Sequence, residues 1–336
     1  MRVEHACLPT FARHETFQPR YGWIKKAIDA ASDDADVFNQ PDAVVRLGVG
    51  KNMVKSIRFW GLAFRVMTER PAVERRGSLV VPTKFGRAVF ADDGWDPYCE
   101  LPGTTWLLHW SLLKPGSMTP VWWLAFNEFS GIEFTPEELE QFVVDRVREW
   151  SGTNAPAVKK DVLCMLRMYA DGHAYRASFE DRIDAPFREL KLIQPSSTTP
   201  GAFRFLIGPK PTLPPAIAAF ACLDFVARTE STSRVISINR LATEPGSPGQ
   251  VFKMTESDLA ALLSRAAAES PDIEVTSAAG VAQLAFDDDP YAVATEVLRD
   301  HYQRITGRAG YFGIQWVGGW RADHAAQSNH EEAIAS

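Results

Sequence analysis

Leu47-Gly48-Val49-Gly50-Lys51-Asn52-Met53-Val54-Lys55-Ser56-Ile57-Arg58-Phe59-Trp60 is the stretch on which the fold reading turns. Gly48 lacks a Cβ and admits the left-handed backbone of a tight turn. Val49 is an apolar plug between flanking helices, and Gly50 stands where a helix cap belongs. A helix starting there and running to about residue 67 puts Val54, Ile57, Gly61 and Phe64 on one face. Lys51, Asn52, Lys55 and Arg58 then project near the opposite face. This is the apolar skeleton of a helix-turn-helix. An ordinary helical hairpin with a glycine turn shares the pattern, so both readings stand here.

The flanking sequence extends the pattern. Upstream, Ile24, Ala27, Ile28 and Ala31 repeat at helical spacing, and Pro41-Asp42 opens a short helix through Val44, Val45 and Leu47. Downstream, Arg75-Arg76-Gly77-Ser78 reads as a turn into the strand Leu79-Val80-Val81, and residues 82–90 as another helix. Helices, basic turn, strand and helix follow a winged-helix order. Residues 93–131 are dense in aromatics, and Trp106, Trp110, Trp122 and Phe126 have the spacing of two antiparallel helices that bury indoles against each other. Core packing is the first reading of this segment. A base-stacking platform would need neighbouring cations, which are sparse here.

Thr135-Pro136-Glu137-Glu138 is a capping box with proline at the first helical position. Helices follow at 162–169, 216–227, 259–268 and 289–302; residues 186–193 read as a helix ending near a strand. Residues 203–207 and Gln250-Val251-Phe252-Lys253-Met254 read as strands. The expected class is α+β, mainly helical, with a winged-helix or helix-turn-helix-like N-terminal module followed by helical modules with short β-hairpins. The expected division is a basic DNA-binding module at 1–92, an aromatic-rich helical domain at 93–152, a C-terminal helical, winged-helix-like domain at 153–322 and a flexible tail at 323–336.

The 336 residues, 46% hydrophobic and 23% charged, exclude a disordered or fibrous chain. No apolar run approaches the roughly 18 residues of a membrane span. No signal core follows Met1, and Cys7, Cys99, Cys164 and Cys222 form no CxxC pair, so a reducing cytoplasm is expected. Net charge is −6, yet Arg46 to Arg87 holds ten cations (Arg46, Lys51, Lys55, Arg58, Arg65, Arg70, Arg75, Arg76, Lys84, Arg87) against Glu69 and Glu74. That segment is +8 on a body of −14. Such asymmetry marks a localised polyanion site on an acidic body, as in a nucleic-acid binder. A solvated helix face beside a basic loop is the plainer alternative.

Gly48-Val49-Gly50-Lys51-Asn52 is not a phosphate loop: its first glycine would fall at Val45, and Asn52 replaces the metal-binding hydroxyl. No nucleotide, haem or flavin is expected. Phe11-Ala12-Arg13-His14-Glu15-Thr16-Phe17-Gln18-Pro19-Arg20-Tyr21-Gly22-Trp23 is chemically the densest stretch. Arg13, Arg20, Lys25 and Lys26 are candidate phosphate contacts, His14 a general acid or base, and Glu15 its orienting or metal-holding partner. A capping and ion-pair network is the competing reading. Asp96, Glu100 and His109 form a second candidate cluster, with Asp96 and Glu100 as ligands of Mg²⁺ or Mn²⁺ for phosphodiester cleavage; surface loop carboxylates are the alternative.

Phe11-x-Arg13-His14-Glu15-Thr16-Phe17-x-Pro19-Arg20-Tyr21-Gly22-Trp23-x-Lys25-Lys26 and the 47–60 stretch resemble the signatures of a bacterial family long filed as a domain of unknown function. Asp96-Pro97-Tyr98-x-Glu100, Thr105 to His109, Phe126-Asn127, Pro186-Phe187-x-Glu189-Leu190-x-Leu192-Ile193 and Ser247 to Phe252 extend the resemblance over nearly the whole chain. Lys191 stands where this pattern leads one to expect glycine. The resemblance implies an SspB-like subunit of a single-stranded DNA phosphorothioation system used in antiphage defence. It implies DNA nicking alongside a cysteine desulfurase, an ATPase and an ATP pyrophosphatase, with no membrane partner. It places no established catalytic residue on this chain. A non-catalytic DNA-binding adaptor is the alternative, and a transcriptional repressor a further one.

Overall fold

The computed structural model describes residues 2–72, 77–152, 155–171, 185–229 and 233–309. Arg75, Arg76 and the tail at 323–336 lie outside the described residues. The fold is α+β and mainly helical, with three small antiparallel sheets among the described residues.

The chain opens with α1 (Val3–Ala6) and α2 (Trp23–Asp33). The apolar stripe of α2 is buried from Trp23 to Ala31. Helix α3 (Ala43–Leu47) ends at Gly48, whose φ of 63° supplies the left-handed turn, and Gly50 caps α4 (Lys51–Ala63). Val54, Ile57, Gly61 and Phe64 are buried, as the periodicity requires, while Val49 is half-buried. Helix α4 stops at Ala63, short of the expected 67, because Arg65 turns left-handed at φ 59°. Its guanidinium donates to the carbonyls of Ser111, Lys114 and Pro115 at 3.1, 3.0 and 2.7 Å. Met67 already begins the hairpin β1 (Met67–Pro71) and β2 (Ser78–Pro82). The Val80 N–H also bonds the Ala35 carbonyl at 2.8 Å, so the hairpin leans on the segment after α2. Thr83 caps α5 (Lys84–Phe90).

Helices α6 (Pro102–Leu112) and α7 (Pro120–Asn127) are almost wholly buried. Their indoles do not face one another as expected: Trp106 and Trp110 pack on Phe252, and Trp122 packs on Trp60 and His14. The link between them carries Lys114, buried with Asp224 at 3.0 Å, and Trp110 donates to the same carboxylate at 2.9 Å. After β3 (Glu133–Phe134), the Thr135–Glu138 capping box starts α8 (Pro136–Ser151); α9 (Ala155–Tyr169) packs against it. A 3-10 turn at Pro186–Leu190 precedes β4 (Ile193–Pro195) and β5 (Phe203–Phe205), and β5 is central in the order β3-β5-β4.

The remaining described elements are α10 (Pro215–Arg228), β6 (Val235–Ser237), α11 (Ile238–Thr243), α12 (Pro248–Phe252), α13 (Glu256–Ala267), β7 (Ile273–Ala278), β8 (Val281–Phe286) and α14 (Pro290–Thr306). The strand expected at 250–254 is instead α12 and its exit. Pro248 starts the helix, Lys253 ends it at φ 54°, and Phe252 is held against Trp106 and Trp110. A Cβ on Gly249 would come within 2.4 Å of the Ala242 backbone, so this helix and α11 meet closely. Among the described residues no helix is long and apolar enough to cross a membrane.

Candidate nucleic-acid interface

The turn at Gly48 sets α4 so that its buried stripe faces α2 and the core, leaving Lys51, Asn52 and Lys55 exposed and Arg58 half-buried. Lys51, Lys55 and Arg58 occupy one stripe, and the first turn adds the partial positive charge of a helix N-terminus. The net field is weaker than the cation count suggests. Lys55 pairs with Glu15 at 3.0 Å, Arg58 with Glu69, and Arg46 with Asp34 at 2.6 Å. Arg65 is spent on the carbonyls of the α6–α7 link. Lys51, Arg70, Lys84 and Arg87 are exposed.

Lys25 and Lys26, adjacent on α2, have separate structural duties. Lys25 is buried and bonds Asp29 at 2.5 Å and Asp92 at 2.6 Å. Burial works against its charge, but the two carboxylates outweigh burial and raise its pKa. It is therefore no phosphate contact. Lys26 is exposed and donates to the Leu47 carbonyl at 2.8 Å, fixing the turn before α4. Arg13 is exposed, and Arg20 lies over the Trp23 ring at 5.8 Å.

The N-terminal cluster does reach α4, though not as expected for catalysis. His14 is buried, stacks on Trp60 and packs edge-on to Phe59 and Trp122. Its Nε2 meets Asp161 Oδ1 at 2.5 Å, and its Nδ1 accepts from the Thr16 N–H at 3.1 Å, so the ring proton resides on Nε2. Burial disfavours a charged ring, and with Nδ1 accepting from the Thr16 backbone the imidazole carries one proton, on Nε2, donated to Asp161. A ring enclosed on both nitrogens cannot accept a proton from a bound nucleophile. His14 is a structural pin for a strained loop: Ala12, Glu15 and Thr16 have φ of 55°, 50° and 67°. Asp161 holds the Ala12 N–H at 2.9 Å, and Arg167 holds the Thr16 carbonyl at 2.6 Å. Nothing local to His14 points to Asp161, 147 residues away.

The second cluster is not assembled. The buried Asp96 accepts from the backbone N–H groups of Glu100 at 2.8 Å and Leu101 at 3.0 Å, at the entry to α6. Glu100 is exposed. His109 is buried within α6 and bonds the Tyr169 hydroxyl at 2.7 Å and the Val251 carbonyl at 2.9 Å. Burial lowers its pKa to about 3. Among the described residues no group of three or more His, Cys, Asp or Glu side chains is placed to hold a metal ion. Asp96, each of whose oxygens holds a backbone N–H, and the exposed Glu100 are therefore not gathered into a Mg²⁺ or Mn²⁺ site by this geometry.

Comparison with known proteins places this geometry in context. A family model described as "Protein of unknown function (DUF4007)" matches residues 11–302. No curated protein matches. A solved structure described as "SspB crystal structure" is 36% identical, superimposes with a TM-score of 0.90 and is covered in full, as is this chain. A second, "Magnesium ion-bound SspB crystal structure", is also 36% identical with a TM-score of 0.89, over 99% of this chain and 98% of its own. Matched along most of its length by sequence and throughout by fold, the chain belongs to the DUF4007 family and is similar to SspB.

Proposed function

We propose that the chain is the DNA-engaging subunit of a phosphorothioate-modification system that acts in antiphage defence. DNA binds along Lys51, Asn52, Lys55 and Arg58, with α4 against a groove and β1–β2 as a wing. The observation that carries the reading is the exposed polar stripe of α4, set by the Gly48 turn opposite a fully buried one. Helix-turn-helix proteins use the first turns of such a helix for backbone and base contacts. The same arrangement supports a winged-helix reading of residues 23–90. Cysteine desulfurase, ATPase and ATP pyrophosphatase partners follow from the family resemblance.

Strand nicking is the enzymatic form of this proposal. Since His14, Asp96 and His109 are committed to the fold, the half-buried Glu15 and the exposed Glu100 remain as candidate participants. The structural commitment of those three residues favours a second reading, a non-catalytic adaptor that presents DNA to sulfur-transfer partners.

Two measurements test these readings. Lys51→Gln should weaken oligonucleotide binding and reduce the slope of log affinity against log salt by about one unit; an unchanged slope removes the α4 assignment. A supercoiled-plasmid assay with Mg²⁺, Mn²⁺ and EDTA arms separates nickase from adaptor. Nicked product above the protein-free control in any arm supports the enzyme, and none in all three supports the adaptor.

A further inference from the structure

Residues 23–90 and residues 215–306 are built to one plan. In the first, α2 packs on α4 and α5; in the second, α10 packs on α13 and α14. A five-residue helix, α3 or α12, ends each time in a left-handed residue, Gly48 at φ 63° or Lys253 at φ 54°. One apolar residue follows, Val49 or Met254, and then an extended cap, Gly50 or Thr255, from which the long helix starts. An antiparallel hairpin comes next, β1–β2 or β7–β8. The segment after the first helix bonds the second strand of that hairpin. The Val80 N–H meets the Ala35 carbonyl at 2.8 Å, and the Phe286 N–H meets the Arg234 carbonyl at 3.1 Å. Helices joined through such a turn and closed by such a hairpin follow the winged-helix order.

The two units carry opposite charge. Residues 23–90 hold twelve cations and seven anions, and residues 215–306 hold seven and thirteen. The difference falls on the elements that would meet DNA. Where α4 begins with Lys51-Asn52 and adds Lys55, α13 begins with Glu256-Ser257-Asp258, and along α13 Arg265 is the one cation. The tip of the second hairpin, residues 277–281, is exposed and uncharged, whereas β1 exposes Arg70. Carboxylates at the head of α13 suit the dipole of their own helix and repel phosphates.

The two turns also face different surroundings. Gly48 is exposed, which leaves the head of α4 open. Its counterpart Lys253 is buried, and the Nζ donates to the Phe126 carbonyl at 2.7 Å, in the last turn of α7. Phe252 beside it packs on Trp106 and Trp110 of α6. The second turn is thus used in holding α6 and α7. We propose that the chain contains two winged-helix units of one build, that DNA is taken by the first alone, and that the second has become the mount for the aromatic helices. The inference rests on the DNA reading above and adds a stoichiometry of one DNA site per chain.

Two experiments on the full chain test this. A benzophenone-bearing residue placed at Asn52 should crosslink to a labelled duplex. The same residue at Ser257, exposed at the equivalent helix position, should capture about a tenth as much or less. In the second experiment, Glu256→Gln, Ser257→Lys and Ala261→Lys together give α13 a cation stripe like that of α4. Titrated with a duplex too short to span both units, the parent should take one duplex per chain and this triple variant two. The crosslinking arm does not depend on how the triple variant folds. Capture from Ser257 equal to that from Asn52, or two duplexes per parent chain, overturns the division between units and leaves DNA binding standing. One duplex per chain for a triple variant that melts like the parent overturns the equivalence of α4 and α13. If the parent binds no duplex at low salt, the DNA reading and this inference fall together.

Discussion

Glu15 Oε1 lies 3.0 Å from Lys55 Nζ, joining the strained N-terminal loop to the middle of the α4 stripe. The pair is partly exposed, so its own contribution to stability is small. Its larger effect is to neutralise a cation where a phosphate would dock. Glu15→Gln should therefore tighten oligonucleotide binding severalfold at low salt and steepen the salt dependence by up to one unit. Unchanged affinity together with lost nicking would instead place this carboxylate in the chemistry.

Asp96 has a stability role that can be measured separately. Because it accepts two backbone N–H groups ahead of α6, Asp96→Ala should destabilise the fold by about 1–3 kcal/mol in urea titration, as loss of a buried hydrogen-bond acceptor does. Asp96→Asn, which keeps one good acceptor, should lose less. Undiminished stability in Asp96→Ala would show that these two backbone bonds do not hold the entry to α6.

His109 predicts an acid limb of stability. The folded ring resists protonation down to about pH 3, whereas the unfolded ring takes a proton below its ordinary 6.5. The unfolded state thus binds more protons between these values, and stability falls as pH drops through that window. The loss approaches about 1.4 kcal/mol per pH unit from this group. Above 6.5 both states are neutral and the contribution is flat. His109→Gln should show a shallower decline in melting temperature from pH 6.5 to 4; an identical decline would assign the acid sensitivity elsewhere.

The turn around Gly48 was legible in the sequence because everything that sets it is local: a residue without Cβ, and apolar neighbours three and four positions apart. The Thr135–Glu138 box was legible for the same reason. What escaped depends on distant partners. His14 looks catalytic until Asp161 closes over its ring, and the basic segment looks strongly charged until Asp34, Glu15 and Glu69 are brought to it. At 250–254 the residues read as a strand, but Phe252 packs between two tryptophans of α6 and the backbone winds into a helix. Tertiary contact overrode local preference there.

Lys191 shows how a departure from pattern becomes a physical statement. Glycine is expected there, and the backbone is left-handed, with φ 50° and ψ 46°. A side chain in that conformation costs about 1 kcal/mol. Its ion pair with Asp171, 3.8 Å long and exposed, offsets little of this. Lys191→Gly should raise the unfolding free energy by up to about 1 kcal/mol in denaturant titration. A decrease would show that the lysine contacts matter more than the backbone strain.

Arg65 carries a consequence for how any long ligand approaches. It sits at the exit of α4, while its acceptors belong to the link between α6 and α7, so swivelling α4 would break charge-assisted bonds in the interior. The bearing of α4 is therefore built into the resting molecule. If DNA docks on α4 as proposed, it must bend or reorient to suit the protein, and flexible or already distorted DNA should dock faster than stiff DNA of equal charge.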